Sequence, residues 1–184
     1  MSNVDYGPLT GLIGRWHGSK GEDIAPLPDG TETNSYRENI VFSAAGDLDN
    51  AETQELVAVH YHQLVNRISD DKKIHDQTGY WIWDAEAELV MHSFTIPRGV
   101  TVLAGGRYEQ PSDLAGSVLT VSASLDSSNW TITQSPFMKG NALTMAFSQT
   151  MNITSDCLSY EQTTLIDIYG KMFEHTDRND LVKE

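Results

Sequence analysis

The sequence predicts an all-β fold: one up-and-down antiparallel barrel of about ten strands, a single domain over residues 1–184, with a short N-terminal helical turn. Three observations predict it. Apolar residues recur mostly with period 2 rather than 3.6, the spacing of half-buried strands. Turn-like clusters such as PRG, DSS, KGN and SDC break this pattern at hairpin spacing. A sheet made of so many neighbouring hairpins would leave two long edges, and closing it into a barrel removes them.

The elements follow in order. GPLTGLIG is the one helical candidate, and SKGEDIAPLPDGTET, rich in Gly, Pro and acid, reads as a loop. YRENIVFSAA and QELVAVHYHQLVNRI read as two longer strands joined by the acidic loop GDLDNAET. TGYWIWD is a further strand that meets AELVMH through a hairpin near Asp84–Ala87. In AELVMHSFTI, Glu88, Val90, His92, Phe94 and Ile96 share one side. After the turn Pro97-Arg98-Gly99 come GVTVLAGGRYE, the turn QPSDLAG, then SVLTVSASL, NWTITQSPFM, ALTMAFSQTMNIT and LSYEQTTLIDIY. The more apolar face of this last strand carries Leu158, Tyr160, Gln162, Thr164, Ile166 and Ile168. Gln162 and Thr164 in that row fit a barrel with a partly polar cavity, or they pair with each other or with water.

Composition narrows the function classes. Lys and Arg number 12 against 26 Asp and Glu, a net charge of −14. Such a surface repels phosphate backbones and anionic lipid, so nucleic acid and membrane are poor partners. The N-terminus lacks a basic region followed by an apolar one, and no run approaches the roughly 18 apolar residues needed to span a bilayer. A soluble, cytoplasmic protein is expected. Cys157 is the only cysteine, so an intramolecular disulfide and a cysteine zinc cage are excluded. It lies in a polar turn with no basic neighbour to activate the thiol. No nucleophile elbow, zinc-protease helix, phosphate loop or dinucleotide fingerprint occurs.

Six histidines remain as chemistry-bearing candidates. His60 and His62 share a strand face, a spacing that can grip a metal, but Asn66 and Arg67 stand where a third, carboxylate ligand belongs. Two outward polar residues is the reading that fits better. His75 lies just after a charged hairpin tip, either at a barrel rim or capping a turn. His92 is expected to point inward as a neutral ring, and His17 to face solvent beside Trp16. His175, in KMFEHTDRND, is either a ligand to something in the interior or a polar residue at the last turn of a sheet. The residues alone therefore indicate a barrel with a cavity for a small molecule.

GRWHG at residues 14–18 carries a resemblance. The chain resembles the nitrobindins, calycin- or lipocalin-like barrels that bind haem and are shaped like fatty-acid-binding proteins. These open with Gly-x-Trp-x-Gly-x-Gly. Gly14, Trp16 and Gly18 match, while Lys20 stands in place of the last glycine and Gly21 comes one step late. YRENIVFS, YHQ, KKIHDQTGYW, HSFTIPRGVTVLAGGRYE and the terminal LSYEQTTLIDIYGKMFEHTDRNDLVK are similar, in order, to later strands of the family.

The resemblance implies a ten-stranded barrel holding haem b through His175 to iron, with the other axial position open to nitric oxide or peroxynitrite. His75 would lie on the ligand side. Thr31 matches a threonine in the family's first loop, Trp16 would plug one barrel end, and Gly14 and Gly18 would permit a tight crossing there. Any catalysis would be at most peroxynitrite isomerisation at ferric haem. The family's Pro-Leu-x-x-His-Leu is replaced here by Met172 to Asp177, and Asp177 either orients the imidazole or forms a turn with Asn179. The alternative is a haem-free carrier of an apolar or mixed ligand. An enzyme using cavity carboxylates such as Asp167 or Glu161 ranks last. The expected partner is a small molecule, with a homodimer allowed for.

Overall fold

The computed structural model describes residues 4–51, 53–109 and 116–184. A 3₁₀ helix at Gly7–Leu12 precedes β1 (Gly14–Leu27), β2 (Gly30–Ala51), β3 (Gln54–Arg67), β4 (Lys73–Asp84), β5 (Leu89–Ile96), β6 (Val100–Arg107) and β7 (Ser117–Ser124). There follow β8 (Ile132–Gln134), helix α1 (Pro136–Asn141), β9 (Ala142–Ile153), β10 (Cys157–Ile168) and β11 (Lys171–Lys183). All eleven strands belong to one antiparallel sheet; β8 apart, which pairs with β6 while β7 pairs with β9, neighbours in sequence are neighbours in space, and β1 pairs with β11. Ten of them close a barrel and β8 is an extra piece. Closure leaves no long edge, as the period-2 reading required.

β8 explains why NWTITQSPFM makes only three residues of strand rather than a full one. It pairs with Val100–Val102 of β6, beyond the point where β7 meets β6 at Gly105↔Ser122. Pro136 then ends the strand, because it has no N–H to donate. Ser135 caps the helix that follows by accepting from the Met138 amide. The side chain of Gln134 substitutes for a ladder, donating to Thr144 O at 2.8 Å and accepting from Thr144 N at 2.9 Å.

Two expected loops prove to be strand. SKGEDIAPLPDGTET is the arm of a long β1–β2 hairpin that turns only at Pro28 and Asp29, with Pro26 opposite Thr31. GDLDNAET continues β2 to Ala51 and starts β3 at Gln54, with Glu52 outside the described residues. Asp47, Leu48 and Asn50 are exposed there while the backbone of β2 pairs with β3. The turn QPSDLAG falls mostly on residues 110–115, outside the described residues.

One end of the barrel is filled with apolar side chains. Leu9 and Leu12 of the 3₁₀ helix belong to one buried apolar cluster with Trp16, Ile40, Phe42, Val59, Trp81, Leu158 and Leu181. Trp16 is 1% exposed and donates its Nε1–H to Leu12 O at 2.7 Å, so helix and first strand lock together. Burying such side chains is worth about 1.5–3 kcal/mol each. The hairpins β1–β2, β3–β4, β5–β6 and β10–β11 turn at the opposite end, which is the mouth. No described helix is long and apolar enough to cross a membrane.

Candidate functional site

On β11 the residues Leu181, Asn179, Asp177 and His175 point inward in turn, from the filled end toward the mouth. Leu181 and Asn179 are buried, Asp177 and His175 half-buried. Alternation explains this directly: one apolar residue anchors the row at the core, and the polar ones follow at period 2. Asp23 of β1 is the cross-strand partner of Asp177, and Thr164 of β10 is the partner of His175. His175 Nε2 lies 2.5 Å from Asp23 Oδ1 and 3.8 Å from Asp177 Oδ2. Asn34 donates to Asp23 Oδ2 at 2.9 Å and Gln162 donates to Asp177 Oδ2 at 3.4 Å. The His175 side chain is 28% exposed, so the mouth admits solvent to it.

The charges shape one another. Burial alone would push the His175 pKa down, but the hydrogen bond to Asp23 and the nearby charges of Asp177 and Asp23 outweigh it and raise the value. Burial would likewise raise Asp23, yet its bonds from His175 and Asn34 hold it below the usual carboxylate range. Asp177 is pushed up to about 6, by burial first and by Asp23 beside it, with His175 acting against both.

A second polar layer lies deeper. Glu38 of β2 is buried at 1% exposure and receives Gln63 Nε2, Asn179 Nδ2 at 2.7 Å and the Tyr160 hydroxyl at 3.0 Å. Burial pushes it up to about 7 despite these bonds. Tyr160 and Tyr36 hydroxyls are 2.7 Å apart, and Tyr36 donates onward to Arg178 O.

A third group faces them across the lumen. His75 pairs with Gln77 at 3.0 Å, Gln77 donates to Tyr61, and Tyr61 reaches His92 Nε2 at 2.7 Å. With Tyr61 donating, His92 carries its own proton on Nδ1. His92 stacks on Trp81 with centroids 4.1 Å apart, and Phe94 and Phe147 close around it. Burial drives its pKa down to about 3, so the ring is neutral, as its strand position led us to expect. Its Nδ1 and the Oε1 of Gln149 are buried without a hydrogen bond of full geometry, although Gln149 still acts on the ring and raises its pKa against burial. Burial, then the charge of His175, act to lower His75 as well, against its bond to Gln77.

Sequence-predicted site residues thus separate into two ends. His175 and His75 share the inner wall of the mouth. Trp16 lies in the apolar core of the filled end, and Gly14 packs there under the Lys183 side chain. Gly18 lies under Asn179 and Asp180 O, where a Cβ would come within 2.6 Å. Thr31 is exposed on the β1–β2 hairpin, near the rim. His60 and His62 face outward to Thr78 and Asp76. The sequence missed Asp23 because it fell in a presumed loop. Period 2 gave no signal for it, since Asp23 is the buried residue while the apolar Ile24 beside it is half-buried. Hollows lined by Trp130, Leu165 and Glu174, and by Lys20, Glu22 and Arg178, lie on the outer wall and bring no comparable donor set together.

A closed ten-stranded barrel with a histidine set in one mouth is the scaffold of a small-molecule-binding protein. The chain belongs to the family described as the THAP4-like, heme-binding beta-barrel domain, whose model matches residues 5–183. That membership bears out the resemblance read from the sequence. Among solved structures it is similar to Rv2717c from M. tuberculosis, at 22% identity and a TM-score of 0.70, over 98% of this chain and 99% of that one. This likeness supports the fold. No curated protein matches.

Proposed function

We propose that the barrel binds haem b at its mouth, with His175 as the axial ligand of iron and His75 on the ligand side. The observation that carries this reading is His175 itself: a half-exposed imidazole on the inner wall of the last strand, in a chain of a haem-binding family. The donor set fits. Asp23 engages Nε2, which leaves Nδ1 to a metal, and a ligating histidine whose other nitrogen donates to a carboxylate is the usual pattern. Asp23 therefore fills the orienting role that was one of two readings of Asp177 from the sequence. The rim suits an amphipathic macrocycle. Leu27, Ile68, Phe137, Tyr169 and Met172 are all exposed at the mouth end.

When bound, ferric haem would supply the iron for binding nitric oxide or isomerising peroxynitrite. The chain's own residues do the rest. Asp23 holds the proton of Nε2 and fixes the ring. His75, kept neutral by burial, offers a polar group without a charge. Trp81, Phe94 and Phe147 exclude water below it. The acidic surface favours solubility and disfavours nucleic acid and anionic membrane, and the cytoplasm is the compartment proposed.

A haem-free carrier is the second reading: His92 Nδ1 and Gln149 Oε1 act on each other short of a full hydrogen bond, and an organic ligand could complete them. Expression in haem-replete cells separates the two. Red protein whose Soret band moves on adding nitric oxide is expected. Colourless protein that co-purifies with an organic ligand contradicts the haem reading.

A further inference from the structure

The barrel mouth brings together more negative charge than its own cations neutralise. Asp23 and Asp177 are direct partners across the β1–β11 ladder, both turned inward, with His175 two residues along the same row. One donor atom from each of the three lies within 4.8 Å of the others. Like charges placed opposite one another on a ladder are destabilising. Here both carboxylates are also largely withdrawn from water, at 10% and 21% side-chain exposure. One imidazolium neutralises one of them. Glu38 adds a further buried acid below. Arg67, which extends Nη1 toward Asn34, is committed to Asp70 on the outside.

An independent feature is the support around the trio. Each carboxylate is held on Oδ2 by a side-chain amide from a different strand, Asn34 of β2 and Gln162 of β10. Outer amides that orient carboxylates are a mark of metal centres, where they fix the ligand oxygens before the ion arrives.

We infer that Asp23, His175 and Asp177 form a site for one divalent first-row transition ion, with zinc the best chemical match. The set offers one imidazole nitrogen and two carboxylate oxygens, and the solvent-facing side leaves room for water as the remaining ligand. A tetrahedral ion spaces its ligands about 3.3–3.6 Å apart. The separations of 2.5 and 3.8 Å from Nε2 to the two carboxylates bracket that value. The ion takes the place of the proton between Nε2 and Asp23, and that proton leaves to solvent. Magnesium, which prefers an all-oxygen octahedron, does not compete. The site goes beyond the haem reading, with which it shares His175 and Asp23: there Asp23 orients the imidazole, and here both ligate the ion.

The test is calorimetric titration of the full chain with Zn²⁺ in two buffers of different ionisation heat, for the wild type, Asp177→Asn and His175→Ala, with a hemin titration of each alongside. One zinc per chain is expected, with proton release. Affinity should drop at least about tenfold in Asp177→Asn, since even losing an outer-shell partner costs that much, and binding should be lost in His175→Ala. No saturable binding to the wild type, or equal affinity in Asp177→Asn, overturns the inference. If circular dichroism shows Asp177→Asn to be misfolded, Asp23→Asn serves in its place with the same expectation. Zinc bound without hemin sinks the haem reading and keeps this site. Hemin bound without zinc does the reverse.

Discussion

At the scale of the residue, the barrel mouth turns on one ion pair. His175 has a folded pKa above its unfolded value near 6.5, so its pairing stabilises the fold fully below that value and is lost as pH rises through the folded pKa. Asp23 has a folded pKa below its unfolded value near 3.8, so its contribution is present above that value and lost on acidification. The pair therefore stabilises most between about pH 4 and the raised pKa of His175. Asp23→Asn is expected to lower the His175 titration midpoint in NMR and to cost roughly 1–2 kcal/mol near pH 6. That cost should shrink at higher pH, where the change also relieves Asp177. An unmoved midpoint would show that Asp23 does not hold the imidazole.

At the scale of the element, β1 shows how much of the fold was legible. The strands that alternate apolar and polar residues, β4, β5 and β10 above all, were readable because one face must be buried. β1 beyond Gly18 was not, because it turns the acid Asp23 inward and the apolar Ile24 outward, and Pro26 and Pro28 near its tip read as loop. The displaced glycine of the opening motif has a physical cause. Between Gly18 and Gly21 the register with β2 shifts, so a bulge carries the inward position from Lys20 to Gly21. There the Tyr36 ring lies against the backbone, and a Cβ would fall 2.1 Å from its Cε2. Gly21→Ala is expected to displace Tyr36, disturb the hydroxyl chain to Glu38 and cost about 1–3 kcal/mol in chemical denaturation. A neutral result would mean that the ring moves aside freely. The same bulge aims Asp23 into the lumen, so the part of the site that went unread and the strand that went unread are one and the same.

At the scale of the molecule, closure through β1 and β11 does more than remove edges. It joins the first and last strands, more than 150 residues apart in sequence, and so brings Asp23 to His175. No local pattern contains that contact, which is why His175 was legible as a candidate and its partner was not. The filled end, built on Trp16 and the 3₁₀ helix, makes a rigid floor, and the polar layers above it lead to an open mouth with an apolar rim.

The central claim is that His175 in this mouth is the ligand of a haem iron, and titration of the ligand-free protein with hemin, followed by absorbance, tests it most directly. A saturable Soret shift near one equivalent, abolished in His175→Ala while circular dichroism stays that of the wild type, is the predicted result. Weak, non-stoichiometric binding, equal in both proteins, would contradict it.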